Sequence, residues 1–218
     1  MFHGERALTP SEPAARALLA EGLAELDEDP ERLASVLDRL AALASLVAHW
    51  NRRMNLTGHR TAEAVARRLV LDALALAHAV PGFTELADLG SGAGFPGLPI
   101  AIRHPERRVT LVESRERRHH FQRAVLRDLG LANVQALRGR AEELDPIPHA
   151  AVVVQAVADP LDWMLPWARP GGLLLLPCAG MPPPPPRHAQ ASAFRLVSYQ
   201  VPLGGPPRSV WVGRRIAS

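Results

Sequence analysis

Apolar residues recur at helical spacing from Ser11 to Leu26 and again from Glu31 to Trp50, with Pro13 and Pro30 near the starts, so the pattern predicts two N-terminal helices. The segment "WNRRMNLTG" breaks the period with Asn51, Asn55 and Gly58. A third helix follows from Thr61, a suitable N-cap, to about Ala79, ahead of Pro81 and Gly82. The period then changes to short apolar runs alternating with helical stretches. "ELADL", "RVTLVE", "NVQALRG", "AAVVVQAV" and "LLLLPCA" read as strands, with a basic helix from about Arg115 to Leu129 and a short helix holding Trp163 and Trp167 between them. Pro170, Gly171 and Gly172 lead into the fifth strand. "FRLVSYQV" and "SVWVGRR", separated by "PLGGPP", read as a closing hairpin. This order predicts an α/β fold: a doubly wound sheet of parallel strands with crossover helices and a C-terminal antiparallel hairpin. The expected organisation is an N-terminal helical extension over 1–82 and a Rossmann-like domain over 83–218.

The first strand runs into "ADLGSGAGFPGLPIAI", and in such a sheet ligands sit at the carboxyl ends of the first strands. Gly92, Gly94 and Gly97 satisfy the dinucleotide spacing G-x-G-x-x-G, while Asp88, Gly90, Gly92 and Gly94 satisfy an acidic-x-G-x-G-x-G spacing, so the glycines alone do not choose a cofactor. Their neighbours do. Pro96 and Pro99 remove N–H donors where a pyrophosphate would sit, and Asp88 adds negative charge beside it. A phosphate-free cofactor carrying a sulfonium and an ammonium, S-adenosylmethionine (SAM), suits this loop. Glu113, at the end of the second strand, stands where an acid accepts ribose hydroxyls. Glu142 in "GRAEEL" is placed to face an adenine amino group, though a helix-capping acid is an equal reading of it alone.

Composition narrows the chemistry. The chain has 218 residues and no lysine, so all 25 basic residues are arginine, which rules out lysine-based catalysis. Residues 1–49 carry nine acids and four arginines, and the remainder thirteen acids and twenty-one arginines. A basic body behind an acidic segment suggests a nucleic-acid partner, and Arg115, Arg117, Arg118 and Arg208 are candidate RNA contacts. A solvated basic face is the plain alternative for the cluster on the basic helix. The one cysteine, Cys178, sits in "LLLLPCAG" and reads as a buried structural thiol, and the His119–His120 pair has no second cluster at metal-ligand spacing. No metal site and no catalytic acid–base pair are expected. Trp50, Trp163, Trp167 and Trp211 read as packing residues. "MPPPPPRHAQASA", where a crossover helix would normally lie, reads as a polyproline connector. No run approaches the ~20 apolar residues of a membrane span, and acids in "MFHGERALTPSEP" argue against a signal peptide. A cytoplasmic monomer with no membrane partner is the expectation.

Taken together, "WNRRMNLTG", "ADLGSGAGFPGLPIAI", "LVESRERRHHF", "LGLANVQALRGRAEEL", "ARPGGLLLL" and "YQVPLGGPPRSVWV" resemble the RsmG family, also called glucose-inhibited division protein B, across nearly the whole chain. The resemblance implies a class I SAM-dependent methyltransferase acting on N7 of a guanine in the 530 loop of 16S ribosomal RNA, in the free RNA or the small subunit. It puts SAM contacts on Gly90, Phe95, Ala141 and Glu142, with Glu113 as the ribose acid. The arginine that the family carries in an R-A-V-A segment is Gln155 here, the lysine at the end of the fifth strand is replaced within "PCAG", and of an H-x-x-D-S motif only Asp72 remains. Two other readings stay open at this stage: an RNA-binding or ribosome-assembly protein without turnover, and a methyltransferase with another substrate.

Overall fold

In the computed structural model, residues 12–155 and 160–216 are described; Ser11 and the segment 156–159, part of the expected fourth strand, lie outside them. Strands β1 (Glu85–Leu89), β2 (Arg108–Glu113), β3 (Val134–Arg138), β4 (His149–Val154), β5 (Ala168–Cys178), β6 (Arg195–Gln200) and β7 (Pro207–Arg214) form one sheet in the order β3-β2-β1-β4-β5-β7-β6. The first five pair in parallel, and β7 inserts antiparallel between β5 and β6, so the predicted hairpin closes one edge. β1 lies inside the sheet between β2 and β4 with all five residues buried, Glu85 and Asp88 included. Alternate residues feed two cores. Leu86, Val109, Leu111, Ala151 and Val153 point to one face and Ala87, Leu89, Val112, Val152 and Val154 to the other.

The first face carries helices α1 (Glu12–Ala24), α2 (Ala34–Met54), α3 (Ala62–Val65), α4 (Leu71–Ala79), α5 (Gly97–Arg103) and α6 (Glu116–Leu129). The second helix differs from its expected span. It starts at Ala34, because residues 30–33 turn behind Asp29, whose Oδ1 accepts the Glu31 N–H. It also continues through Asn51 to end at Asn55, a left-handed C-cap (φ 48°). Asn51 is therefore the last turn of a helix, where its side chain bonds the Thr57 N–H and the carbonyls of Thr57 and His59 and so fixes the following loop. Thr61 is the predicted N-cap, its Oγ1 accepting the Ala64 N–H at 3.1 Å. The helix it opens is not uniform. A π-helical segment, Ala66–Val70, sits between α3 and α4.

The second face is thinly covered. It has α7 (Leu161–Met164), a 3₁₀ turn (Leu165–Trp167), the turn at residues 141–144 and the proline connector, which forms no helix. Trp167 anchors this layer, buried, with its indole N–H donating to the Ala141 carbonyl at 3.0 Å. β5 starts five residues before its expected first residue and contains the Pro170-Gly171-Gly172 segment; the register with β4 shifts there, between the His149–Ala168 and Ala151–Leu173 pairs. A Cβ at Gly172 would lie 2.8 Å from the Arg169 carbonyl oxygen, so the irregular backbone requires glycine. At the opposite edge of the strands from the glycine loop, Glu85 is ion-paired with Arg108 and Arg169.

Candidate functional site

Glycine permits the loop after β1 to double back. Gly90, Gly92 and Gly94 all have positive φ (73°, 59° and 87°). The N–H groups of Gly90 and Ser91 both donate to the Val112 carbonyl, and those of Gly94 and Phe95 to the Ser91 carbonyl. The Gly92 N–H donates to Glu113 Oε2 at 2.9 Å, and the Gly97 N–H to Asp88 Oδ2 at 2.9 Å. The loop is thus held between two carboxyl groups, one from β1 and one from β2. A residue that sequence reasoning missed completes it. Gln122, fully buried on α6, donates through its amide to Ser91 Oγ (2.8 Å) and to the Gly92 carbonyl (2.9 Å). The available signal was an uncharged polar residue amid the arginines of a strongly basic helix.

These bonds decide which ligands the loop suits. The N–H groups of Gly90, Ser91, Gly92, Gly94, Phe95 and Gly97 are spent within the protein, and Pro96 has none, so no row of free donors points at a phosphate. Glu113 is nearly buried; Oε1 accepts the Arg115 N–H at 2.7 Å, Oε2 accepts Gly92, and each oxygen keeps a lone pair. Asp88 is 2% exposed, and burial, reinforced by the neighbouring Glu113 charge, pushes its carboxyl up to about 7, although the Gly97 N–H bond opposes the shift. Asp88 thereby braces the loop from beneath as the acceptor for Gly97.

The remaining predicted residues lie along the same edge. Gln155 directly follows β4, whose last residue Val154 pairs in register with Leu89 beside Gly90, and its side chain is exposed. Phe95 packs partly buried against the core. Ala141 and exposed Glu142 border a cleft of about 310 Å³ with Leu144, Asp162, Trp163 and Trp167. Glu142 is within 3.9 Å of Arg140. Among the described residues no group of three or more His, Cys, Asp or Glu could hold a metal, and His119 Nε2 bonds the Ala136 carbonyl (3.3 Å).

The four arginines are not one patch. Arg115 and Arg117 are exposed at the start of α6, but Arg118 is half-buried, with Nη1 4.0 Å from Glu113 Oε2 and 3.8 Å from where a Gly92 Cβ would stand. Arg208 is the second residue of β7, four strands away from β2, roughly 19 Å at the usual strand spacing of about 4.8 Å. Its Nε is 3.3 Å from Asp72 Oδ2, and the Tyr199 hydroxyl donates to Asp72 Oδ1 at 3.0 Å. Burial raises the Asp72 carboxyl above its ordinary value despite the Arg208 charge, and raises Tyr199 too, where the Asp72 charge adds to burial. This network ties α4 to the hairpin. The hairpin turn is held further by Arg67 of the π-helical segment and Glu25, which bond the carbonyl and N–H of Leu203 (φ 59°).

A central parallel sheet ending in an antiparallel β5-β7-β6 ribbon, with a glycine loop and an acid at successive strand ends, defines a class I methyltransferase fold. Solved structures with the same fold include a putative O-methyltransferase from Klebsiella pneumoniae (TM-score 0.54, 15% identity, 80% of this chain and 90% of that one). TrmN from Thermus thermophilus matches with TM-score 0.50 and 21% identity over 67% of this chain and 48% of that longer one. The family model for GidB, rRNA small subunit methyltransferase G, matches residues 36–178. The chain belongs to that family. It is 42% identical over 146 residues to the ribosomal RNA small subunit methyltransferase G of Halorhodospira halophila (65% of this chain, 69% of the relative). It is 35% identical over 221 residues to that of Deinococcus deserti (94% and 89%).

Proposed function

We propose that this protein transfers a methyl group from SAM to N7 of a guanine in the 530 loop of 16S ribosomal RNA. One observation carries the choice of cofactor: the N–H groups of Gly90, Ser91, Gly92, Gly94, Phe95 and Gly97 are spent within the protein and the Glu113 carboxylate flanks the loop, which suits a cationic, phosphate-free ligand and opposes a dinucleotide. Membership of the methyltransferase G family supports the RNA substrate. When bound, SAM supplies an electrophilic methyl group on a sulfonium. Glu113 would accept the ribose hydroxyls through its remaining lone pairs, Ala141 and Glu142 would border the adenine, and Gly90 and Gln155 would line the methionine end.

Guanine N7 carries an in-plane lone pair and no proton, so the chain needs no general base. Its residues have to hold the base in line, a positioning effect worth roughly 7–11 kcal/mol in favourable cases. The A-form major groove hides N7 from side chains, so the target must be unpaired or extruded. Arg115 and Arg117 would then grip flanking phosphates.

The test is methyl transfer itself. The protein is incubated with radiolabelled SAM and either 16S RNA or small subunits lacking the modification, and the label is mapped. Label on N7 of one 530-loop guanine is expected. Absence of transfer to either RNA overturns the proposal, and label on another base redirects it.

A further inference from the structure

Where the fold family's last crossover helix would lie, this chain has Pro182–Pro186, and the space beneath is a cavity of about 640 Å³. Its floor is made by the ends of β4 and β5, Val154, Leu176 and Cys178, and its side by Trp211 of β7. The connector is tied at two points. The Trp211 indole N–H donates to the Pro183 carbonyl at 3.1 Å, and His188 Nε2 donates to Asp162 Oδ1 at 3.0 Å. The His188 tautomer follows from its other nitrogen, because Nδ1 accepts the Gln190 N–H at 3.0 Å. Pro183, Pro184 and Pro186 thus form an arch held between α7 and β7. Cys178 is half-buried in the floor, not sealed in the core as its sequence context suggested, because the strand end on which it lies is open to this cavity.

We infer that the cavity under the proline arch is the acceptor subsite and takes a guanine nucleotide by its Watson–Crick edge. The inference rests on the methyltransferase reading above. Position is the first reason. The floor begins at Val154, next to Gln155 and one strand from the glycine loop, and Asp162 borders both this cavity and the Ala141–Glu142 cleft. The second is wall chemistry. Proline rings and an indole offer flat apolar surfaces on which a base stacks. Five successive prolines carry carbonyls but no N–H, so the arch's backbone polar groups are all acceptors. Guanine presents N1–H and an exocyclic amine on its Watson–Crick edge, whereas adenine presents an acceptor at N1. A base held by that edge leaves N7, on its opposite side, free to react. Arg187, exposed at the end of the run, supplies a cation for the nucleotide's phosphate.

The experiment is a titration of intrinsic tryptophan fluorescence with guanosine monophosphate, in the full chain. Saturable quenching at millimolar nucleotide is expected in the unsubstituted protein. It should weaken about tenfold or more with adenosine monophosphate, since a donor-seeking base is then mismatched. Trp211→Phe should abolish the quenching, and Arg187→Ala, at an exposed position, should weaken it with an unchanged melting temperature. Saturating S-adenosylhomocysteine should leave it intact. Quenching that persists in Trp211→Phe, equal response to both nucleotides, competition by S-adenosylhomocysteine, or no saturable quenching each overturn the inference. Its fate is separable from that of the proposed function. Guanosine monophosphate binding without methyl transfer to 16S RNA removes the function and keeps the subsite; transfer without nucleotide binding does the reverse.

Discussion

Glu113 holds Gly92 across the gap between β2 and the glycine loop, its Oε2 accepting the Gly92 N–H at 2.9 Å while Oε1 accepts the Arg115 N–H at 2.7 Å. One carboxylate therefore fixes both the loop and the start of α6, and does so beside the place where ribose hydroxyls would bind. Replacing it with an amide leaves one of the two N–H groups facing an NH₂. Glu113→Gln is expected to weaken SAM binding about tenfold to a hundredfold, the range for losing a hydrogen bond to a charged group of about 1.5–3 kcal/mol. Calorimetry reads this directly, and unchanged affinity would mean that Glu113 serves the loop alone.

Asp88 makes stability fall with rising pH. Its carboxyl titrates near 7 in the fold against 3.8 in the unfolded chain, so the folded state retains a proton that the unfolded state has lost. Stability is therefore greatest below pH 4 on this group's account and declines until pH passes about 7, by on the order of 4 kcal/mol in all. Between pH 5 and 8 the melting temperature should fall on the order of 5–10 °C from this source. Asp88→Asn keeps an acceptor for the Gly97 N–H and cannot ionise, so its melting temperature should vary less over the same range. Parallel curves for the two proteins would remove Asp88 as the cause.

The arginines should separate by experiment as they do in space. Arg115→Ala and Arg117→Ala are each expected to lower RNA affinity and to reduce the salt slope by about 0.7–0.9, one phosphate contact apiece. Arg118→Ala is expected to weaken SAM binding with little change in slope, because its guanidinium is turned toward Glu113. Filter-binding titrations across salt, paired with calorimetry, distinguish the two outcomes. Arg208→Ala should lower the melting temperature as well as RNA affinity, since it leaves half-buried Asp72 with only Tyr199.

Gln155 stands exposed just after β4, at the position where the resemblance to the RsmG family implies an arginine. Glutamine lacks the charge, so Gln155→Arg is expected to raise methyl transfer on the order of tenfold by adding a charge-assisted bond of about 1.5–3 kcal/mol. An exposed position predicts a stability change within the small range typical of surface substitutions, about 0.5 kcal/mol, and so a nearly unchanged melting temperature. Equal turnover by both forms, measured side by side, would make glutamine a neutral replacement.

The sequence by itself determined the strands, their order of appearance and the identity of the loop. Five-residue apolar runs such as "AAVVV" in β4 must be buried on both faces, glycines at Gly90, Gly92 and Gly94 announce positive φ, and Thr61 announces a helix start, because each signal is carried by a residue and its near neighbours. Helix ends were less legible. Asn51 breaks the apolar period yet lies inside α2, since its polar groups are satisfied by a loop six to eight residues on. Tertiary structure alone decided the rest. Gln122 under the loop, the Asp72–Tyr199–Arg208 network and the cavity beneath the prolines all join residues distant in the chain. Local periodicity cannot report such partners; they meet only because the sheet brings β2, β5 and β7 to a common edge, where burial makes each unsatisfied polar group costly enough to choose its neighbour.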